Sequence, residues 1–319
     1  MTDIMLIEAA AARLAGHARR TPLLSSPFLD EIAGRPVFVK AECLQHTGSF
    51  KFRGGWNAVT ALVEAGPVGG VIAFSSGNHA QGVALAAQRH GLPAVIVMPS
   101  DAPAIKVANT RALGAEVVPF DRATEDRDAL GARLAAERGL ALIKPFDMTE
   151  VIAGQGTVGL EIAEQAAEAG VTRAEVLVPC GGGGLTSGIA VALKARAPGM
   201  VVRPVEPEGF DDVARSQAAG RRLRNERLSG SICDAIITPE TGDLTWPLLR
   251  DLCGAGRVVS EDEALRAMAL AHDRLKIVLE PGGAVALAAA LFRPADGPVI
   301  AVASGGNVDR AMMIRALQA

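Results

Sequence analysis

Cysteine is scarce in this sequence, and its spacing excludes a metal framework built on thiols. The 319 residues contain four cysteines (Cys43, Cys180, Cys233 and Cys253), without the closely spaced pairs that zinc sites require. Isolated cysteines in a chain of this length are typical of reduced thiols in the core of a cytosolic protein. This pattern therefore predicts a cytoplasmic protein.

Long apolar runs are also absent. No run reaches the roughly 18 residues that a membrane-spanning helix needs. The first twenty residues carry Asp3 and Glu8 and lack the continuous apolar core of a signal peptide, so they are predicted to form an amphipathic helix. We expect a soluble protein that makes no membrane contact.

Clustered positive charge is the third feature that the sequence lacks. Its 32 basic and 35 acidic residues are dispersed and give a formal net charge of −3. Proteins that bind nucleic acids concentrate Lys and Arg on one surface. The charge pattern therefore argues against a nucleic-acid partner.

Short apolar segments alternate with Ala-rich helical segments almost throughout the chain. Strands are predicted at residues 36–41, 71–75, 94–98, 115–119, 140–144, 175–179, 201–205 and 299–303. Helices are predicted at residues 81–90, 122–138, 158–169 and 185–197. This alternation predicts an α/β protein with mostly parallel sheets, which binds ligands at the carboxyl ends of its strands. The polar segment 220–242 is expected to form surface loops.

The turn at residues 75–82 (SSGNHAQG) joins a predicted strand to a helix. Small polar residues at a helix start leave backbone N–H groups free near the positive end of the helix dipole, which suits a carboxylate. Ordinary N-capping by Ser76 or Asn78 is the alternative explanation.

Four successive glycines, residues 181–184, follow the predicted strand at 175–179. Glycines at such a turn allow a phosphate to approach the bare backbone amides, although a loose turn is the alternative. A dinucleotide site would need a G-x-G-x-x-G pattern, with an acidic residue such as Glu206 about 20 positions later. The third glycine position holds Thr186 or Ser187 instead, so a lone phosphate monoester fits better.

A lysine lies between two aromatic residues in the segment GSFKFRGG, residues 48–55. An amine held between Phe50 and Phe52 and partly removed from water has a lowered pKa and becomes nucleophilic, although a surface lysine between two core phenylalanines is the alternative. A nucleophilic Lys51 together with a phosphate loop is explained most simply by pyridoxal phosphate, which binds lysine as a Schiff base. The hydroxyl of Ser304, after the last predicted strand, could then donate to a ring nitrogen or could cap a helix.

Seven segments, in order along the chain, resemble the serine/threonine dehydratase and serine racemase family of fold type II pyridoxal-phosphate enzymes. They are TPL (21–23), KAECLQHTGSFKFRG (40–54), SSGNHAQG (75–82), IAGQGT (152–157), GGGGL (181–185), EPGGA (280–284) and SGGNVD (304–309). The resemblance covers nearly the whole chain. It implies a two-domain α/β fold similar to the tryptophan synthase β subunit, with a large domain (1–71 and 146–319) and a small inserted domain (72–145) that closes over the substrate. It also implies a homodimer.

The resemblance implies a role for each matching residue. Lys51 would hold pyridoxal 5′-phosphate covalently and act as the base on one face. The other cofactor-binding residues would be Phe50, Asn78, Gly181, Gly182, Gly183, Gly184 and Ser304. The substrate-binding residues would be Ser75, Ser76, His79 and, by a loose alignment, Arg127. Ser76 would be a second catalytic residue that exchanges a proton on the face opposite Lys51.

A divalent cation, Mg²⁺ or Ca²⁺, is also implied by the resemblance. Its ligands would be the carboxylates of Glu206 and Asp212 and the carbonyl oxygen of Phe210. Hard oxygen donors of this kind suit both ions. A surface acidic turn without a metal is the alternative.

The implied activity is that of a dehydratase, or ammonia-lyase. It would convert a small β-hydroxy-α-amino acid of the serine or threonine type into a 2-oxo acid and ammonia, by α-proton abstraction and β-elimination. Serine racemase activity, and hydroxyaspartate or phenylserine dehydratase activity, are open alternatives on the same site. β-Replacement chemistry is a nearer rival within the fold, and a dinucleotide-dependent oxidoreductase that does not need Lys51 is a distant one.

Overall fold

The computed structural model describes residues 2–75, 77–102, 104–121 and 124–319, without the side chains of residues 104–105 and 127–128. In these residues the strands are β1 (Leu23–Ser25), β2 (Val37–Lys40), β3 (Val71–Phe74), β4 (Ala94–Pro99), β5 (Glu116–Phe120), β6 (Ala141–Leu142), β7 (Ala174–Pro179), β8 (Met200–Pro207), β9 (Arg257–Val259) and β10 (Val299–Val302). The helices are α1 (Ile4–Leu14), α2 (Pro27–Ala33), α3 (Lys51–Ala65), α4 (Asn78–Arg89), α5 (Ala104–Ala112), α6 (Arg127–Arg138), α7 (Thr149–Glu168), α8 (Gly184–Arg196), α9 (Asp212–Ala219), α10 (Thr245–Leu252), α11 (Glu261–Leu270), α12 (Pro281–Phe292) and α13 (Arg310–Leu317). Short 3-10 turns lie at Glu42–Leu44, His46–Gly48 and Asp234–Ile236, and a π-helical turn at Ala271–Leu275.

The strands form two sheets. The larger sheet has the order β1-β2-β10-β7-β8-β9 and is parallel except for the β1–β2 pair. The smaller sheet has the order β5-β4-β3-β6 and is parallel throughout. Parallel neighbours are joined by helical crossovers, which cover both faces of each sheet.

The smaller sheet is built from one continuous segment of the chain, which leaves the larger sheet after α3 and returns to it at α7. Strand β3 is the central link, since it pairs with β4 on one side and β6 on the other. The carboxyl ends of β3, β7 and β10 border the same cavity. The arrangement therefore places the strand-to-helix turns of both sheets around one site.

Helix α12 lies at the centre of the larger core. Its residues are apolar on every side, and all of them except Phe292 are buried. A helix that is apolar all round is stable only when other elements cover it completely, and α12 packs against strands of the larger sheet and against α11. This packing holds the turn that precedes α12 at the cavity.

The predicted strands are all confirmed, with ends that differ by a few residues at most. Two three-residue strands, β1 and β9, were not predicted, because pairing along the sheet edges rather than a sequence pattern defines them. The segment 220–242 is mostly irregular, as expected, but it is not confined to the surface, because Asn225 and Cys233 are buried.

Two predicted helix starts were wrong. Helix α6 begins at Arg127 and not at residue 122, because the Asp126 carboxylate accepts the N–H of Ala129 at 3.0 Å and caps the helix there; residues 122–123 lie outside the described part of the chain. Helix α7 begins at Thr149 and not at residue 158. Its glycines disfavour a helix in isolation, but they let α7 approach α3 and α8 closely.

In the described part of the chain, no helix is long and apolar enough to cross a membrane. The four cysteines are all free, and three of them are buried. Burial raises the pKa of the Cys43 and Cys233 thiols to about 12, so these side chains stay protonated as small apolar groups.

Candidate active site

The cavity between the two sheets brings together ten residues that the sequence analysis assigned to the site. They are Phe50, Lys51, Ser75, Asn78, His79, Gly181, Gly182, Gly183, Gly184 and Ser304. They come from separate segments of the chain, and the cavity that they line with other residues has a volume of about 240 Å³. Pockets of this kind, with a few converging polar groups, are the usual sites of small-molecule chemistry.

Lys51 is the first residue of α3, and its amine is held away from bulk water. Its Nζ lies 5.3 Å from the centre of the Phe50 ring and donates a hydrogen bond to the Pro145 carbonyl at 2.6 Å. Burial lowers the pKa of this amine to about 8, because the charged form loses its hydration. Lys51 is therefore about half neutral near pH 8, where the neutral amine can act as a nucleophile.

The glycine turn between β7 and α8 has no room for side chains. A Cβ at Gly182 would lie 2.3 Å from the Phe146 ring, and Gly183 has a positive φ of 91° that favours glycine. The N–H groups of Gly181, Gly182 and Gly183 donate no hydrogen bond to any acceptor in the described residues. Three free N–H groups at the start of a 13-residue helix form a favourable cradle for an anion.

Two further side chains beside this cradle have buried polar atoms without partners. Both amide atoms of Gln155, which is 1% exposed, lack a hydrogen bond in the described residues. The hydroxyl oxygen of Thr186 lacks one as well. Unsatisfied polar atoms are costly in a protein interior, so their presence beside the glycine turn fits a phosphate group supplied from outside the chain.

Ser304 and Asn78 also line the cavity. Ser304 follows β10, is 5% exposed, and accepts the N–H of Phe50 on its carbonyl oxygen at 3.1 Å. Asn78 opens α4 and makes two side-chain hydrogen bonds, to Glu280 and from Asn307. Ser304 and Asn78 therefore line the same cavity as Lys51 and the glycine turn.

The predicted carboxylate site is only partly described. The Ser75 hydroxyl accepts the N–H of Gly77 at 3.1 Å at the start of α4. Ser76 lies outside the described residues, and so does the side chain of Arg127, whose backbone begins α6. Their predicted roles stay predictions.

His79 is buried and neutral. Its Nε2 lies 2.9 Å from the carbonyl oxygen of Ile143, to which it donates, and burial, with the nearby charge of Lys51, lowers its pKa to about 3. His79 therefore cannot supply the positive charge that a second carboxylate on the substrate would require.

The predicted metal ligands lie outside the cavity, at the end of β8. Both carboxylate oxygens of Glu206 accept backbone N–H groups of α9, at 2.9 and 2.8 Å. Asp212 accepts from Asn225 at 2.7 Å through Oδ1, while its buried Oδ2 has no partner in the described residues. Within those residues no group of three or more His, Cys, Asp or Glu side chains could hold a metal. The two carboxylates, the unpartnered oxygen and the neighbouring turn of Phe210 are nevertheless compatible with a hard cation.

Sequence reasoning missed several residues of the cavity. Lys106 and Asp234, which both line it, form an ion pair of 3.2 Å, and Phe146 packs on the glycine turn. Glu280 and Asn307 were noted within the EPGGA and SGGNVD segments, but without a role. Those two segments were the available signal, whereas nothing in the sequence pattern distinguished Lys106 or Asp234.

Comparison with known proteins connects this geometry to a cofactor. The family model described as "Pyridoxal-phosphate dependent enzyme" matches residues 14–305. The chain is 44% identical to L-threo-3-hydroxyaspartate ammonia-lyase from a Pseudomonas species over 303 residues, covering 94% of this chain and 93% of that protein. It is 40% identical to serine racemase from Oryza sativa subsp. indica over 323 residues, covering 99% and 94%.

A solved structure has the same fold. The maize serine racemase aligns with a TM-score of 0.92 and 39% identity, over 99% of this chain and 97% of that one. The predicted fold class, an α/β pyridoxal-phosphate enzyme of fold type II with mostly parallel sheets, is confirmed. On the similarity of sequence and of structure alike, this chain belongs to the pyridoxal-phosphate dependent enzyme family.

Proposed function

We propose that the protein is an ammonia-lyase that converts a β-hydroxy-α-amino acid of the serine or threonine type into a 2-oxo acid and ammonia. The observation that carries the proposal is the buried Lys51 amine, with a pKa of about 8, in one cavity with the free N–H groups of the glycine turn. Pyridoxal 5′-phosphate, when bound, supplies an electron sink for negative charge at the α-carbon of the substrate. The dinucleotide alternative has no support in this arrangement, since it leaves Lys51 without a task.

The residues of the cavity divide the work. The N–H groups of the glycine turn hold the phosphate, with Gln155 and Thr186 beside them. The start of α4 holds the carboxylate of the substrate through backbone N–H groups and the helix dipole. Lys51 Nζ, partly neutral near pH 8, takes the α-proton of the substrate, after which the β-hydroxide leaves.

Ser304 favours elimination in this scheme. A neutral hydroxyl cannot hold a ring nitrogen protonated as a carboxylate would, so negative charge at the α-carbon is stabilised less and is relieved by loss of the β-substituent. Residues 72–145, which contain all of the smaller sheet except Val71, would close over the substrate and exclude water during the reaction. This closing segment is a proposal that rests on the position of the cavity between the two sheets.

The charges of the cavity favour a substrate with a neutral β-substituent. His79 is neutral, and Lys106, the second lysine of the cavity, already pairs with Asp234. A β-carboxylate would have to displace Asp234 or find another cation, such as the predicted Arg127. Serine and threonine meet no such requirement, so we place them ahead of 3-hydroxyaspartate.

Racemisation on the same site is the second candidate. The relatives include proteins named serine racemase, and Ser76 is the residue assigned to proton exchange on the face opposite Lys51. If Ser76 protonates the α-carbon before the hydroxide leaves, the product is the mirror-image amino acid.

One experiment separates these outcomes. The purified protein, reconstituted with pyridoxal phosphate, is mixed with L-serine, D-serine, L-threonine, L-threo-3-hydroxyaspartate and L-threo-phenylserine. The visible spectrum, the 2-oxo acid and the chirality of the remaining amino acid are measured together. Oxo acid from serine or threonine supports the proposal, whereas inverted chirality without oxo acid makes the protein a racemase. Full elimination activity in Lys51→Ala would refute the assignment of Lys51.

We also propose that a divalent cation binds Glu206, Asp212 and the carbonyl oxygen of Phe210. The unpartnered Asp212 Oδ2 supports it, and so does Glu206, whose carboxylate accepts two backbone N–H groups and forms no ion pair in the described residues. The homodimer and the cytoplasmic location stay predictions from the sequence.

A further inference from the structure

Glu280 is a buried acid in the cavity that the scheme above does not use. It precedes α12, is 6% exposed, and accepts a hydrogen bond from Asn78 Nδ2 on Oε1 at 2.6 Å. No basic side chain in the described part of the chain forms an ion pair with it. A buried carboxyl group without a cation is costly, so its position calls for a function.

The orientation of the Asn78 amide follows from a short chain of hydrogen bonds. Asn307 Nδ2 lies 2.8 Å from the carbonyl oxygen of Thr47, which can only accept, so this atom is the donor nitrogen. The same Nδ2 donates to Asn78 Oδ1 at 2.7 Å. The other end of the Asn78 amide is therefore the nitrogen, and it donates to Glu280.

These bonds leave one polar hydrogen of Asn78 uncommitted. The amide oxygen is taken by Asn307 and one N–H by Glu280, and the second N–H lies in the fixed plane of the amide in the cavity wall. Glycine at position 305 leaves room for the Glu280 carboxylate, because a Cβ at this position would lie 2.0 Å from Glu280 Oε1. The backbone adds a further connection, since Glu280 N donates to the Gly305 carbonyl at 3.1 Å.

We infer that Glu280 is a positioning residue that orients the Asn78 amide, so that Asn78 meets an oxygen of the bound cofactor as a hydrogen-bond donor. This inference rests on the proposed function. An ionised Glu280 accepts strongly from Asn78 Nδ2 and so fixes which way the amide faces, while the hydrogen bond that Asn78 Oδ1 accepts from Asn307 makes the remaining N–H a better donor. Glu280 would therefore act on the reaction through Asn78, without touching the substrate.

The protonation of Glu280 provides a signature of this role. Burial is the main cause that raises the pKa of its carboxyl group to about 7, and the negative charge of Asp234 raises it further. The hydrogen bond from Asn78 and the positive charge of Lys106 lower this pKa but do not outweigh burial. Asp234 and Lys106 are the charged groups that face Glu280 from the turn at 234–236 and from α5. As the pH falls through about 7, Glu280 gains a proton and accepts less strongly from Asn78.

The test compares three variants by cofactor binding and by spectrum. For Glu280→Ala we expect the dissociation constant for pyridoxal phosphate to rise about tenfold. This factor corresponds to roughly 1.4 kcal/mol, the free energy of one lost hydrogen bond. For Glu280→Gln we expect an affinity within about threefold of the wild type, because the amide oxygen still accepts from Asn78. Glu263→Ala, which removes a glutamate of α11 that pairs with Arg293, controls for a general loss of stability.

The pH dependence of the bound cofactor's absorption completes the test. The wild type and Glu263→Ala should show a spectral transition with a midpoint near pH 7, and Glu280→Gln should lack it. Three results would each overturn the inference. The first is wild-type affinity for the cofactor in Glu280→Ala, and the second is an affinity in Glu280→Gln as poor as in Glu280→Ala. The third is an unchanged spectral transition in Glu280→Gln. If Glu280→Ala does not fold, the presence or absence of the spectral transition in Glu280→Gln still tests the inference. Failure of the wild type to bind the cofactor would instead overturn the proposed function.

Discussion

Four charged side chains form one cluster around Arg53, and because three of them are buried we predict that the cluster makes a large contribution to stability. Arg53 is 1% exposed and holds the fully buried Glu42 through two hydrogen bonds of 2.8 Å each. Arg53 also pairs with Glu161 at 2.6 Å, and Lys40 pairs with Glu161. The four formal charges cancel, so the cluster is neutral while all of its members are present.

Changing Glu42 to Gln leaves the cluster with an uncompensated positive charge in the interior. Removing one partner of a buried ion pair costs about 3–5 kcal/mol, and we expect this loss in the free energy of unfolding. Arg53→Met should cost a similar amount, because it leaves Glu42 without its bidentate partner. The double variant restores neutrality, since only the Lys40–Glu161 pair remains, so it should be no less stable than either single variant.

Urea unfolding followed by tryptophan fluorescence measures these values, because Trp56 is buried in the same helix, α3. The expected coupling energy in the double-mutant cycle is about 3 kcal/mol or more. The matched control is Glu116→Gln, which removes one member of a half-exposed pair with Arg138 and should cost less than about 1 kcal/mol. Additive losses in the double variant would refute the reasoning.

The same cluster predicts how stability depends on pH. Burial alone would raise the pKa of Glu42, but the charges of Arg53 and Lys40 outweigh burial and lower it below its usual value of 4.5. A carboxyl group with a lowered pKa contributes stability above its unfolded pKa and loses that contribution as the pH falls through the folded value. The difference between the wild type and Glu42→Gln should therefore shrink below pH 4.5.

Three further predictions concern the cofactor and the cation. Because burial lowers the pKa of Lys51 to about 8, the rate of pyridoxal-phosphate binding should rise with pH and level off above about pH 8; a midpoint at the model-compound value of 10.5 would contradict this. Gly182→Ala puts a methyl group 2.3 Å from the Phe146 ring, so the dissociation constant for the cofactor should rise by at least about tenfold and recover partly in combination with Phe146→Ala. If a cation binds Glu206 and Asp212, a chelator should lower the melting temperature of the wild type but not of Asp212→Asn, and an insensitive wild type would argue against the site.

The fold could be predicted from the sequence where apolar runs are continuous. Strands such as β4 and β10 are buried on both faces, so all of their residues are apolar or small. Such a continuous apolar run can be recognised as a strand without knowing what packs against it. Helix α7 could not be predicted fully, because glycines in its first half are typical of a helix break. A Cβ at Gly154 would lie 2.5 Å from the Arg53 carbonyl oxygen, and one at Gly159 would lie 2.8 Å from Ala192 Cβ. Only the packing of α7 against α3 and α8 explains why glycine is favourable there.

The candidate site shows the same division. Lys51 and the glycine turn were found because the signal is local: two aromatic neighbours beside an amine, and four glycines in succession. The Lys106–Asp234 pair was missed, since its members are 128 residues apart and neither has an unusual neighbour in the chain. The neutral state of His79 was also beyond the sequence, because burial decides its pKa.

By itself, the sequence determined the type of chemistry, because the reactive amine and the phosphate cradle depend on residues that are adjacent in the chain. The tertiary structure alone decided how the cavity is oriented and charged. The Asn78 amide is held by Glu280 and Asn307, which are 202 and 229 residues away along the chain. A hydrogen bond forms only when its donor and acceptor are placed to within a few tenths of an ångström. The packing of the two sheets and their helices sets these positions, and no local pattern of residues encodes that packing.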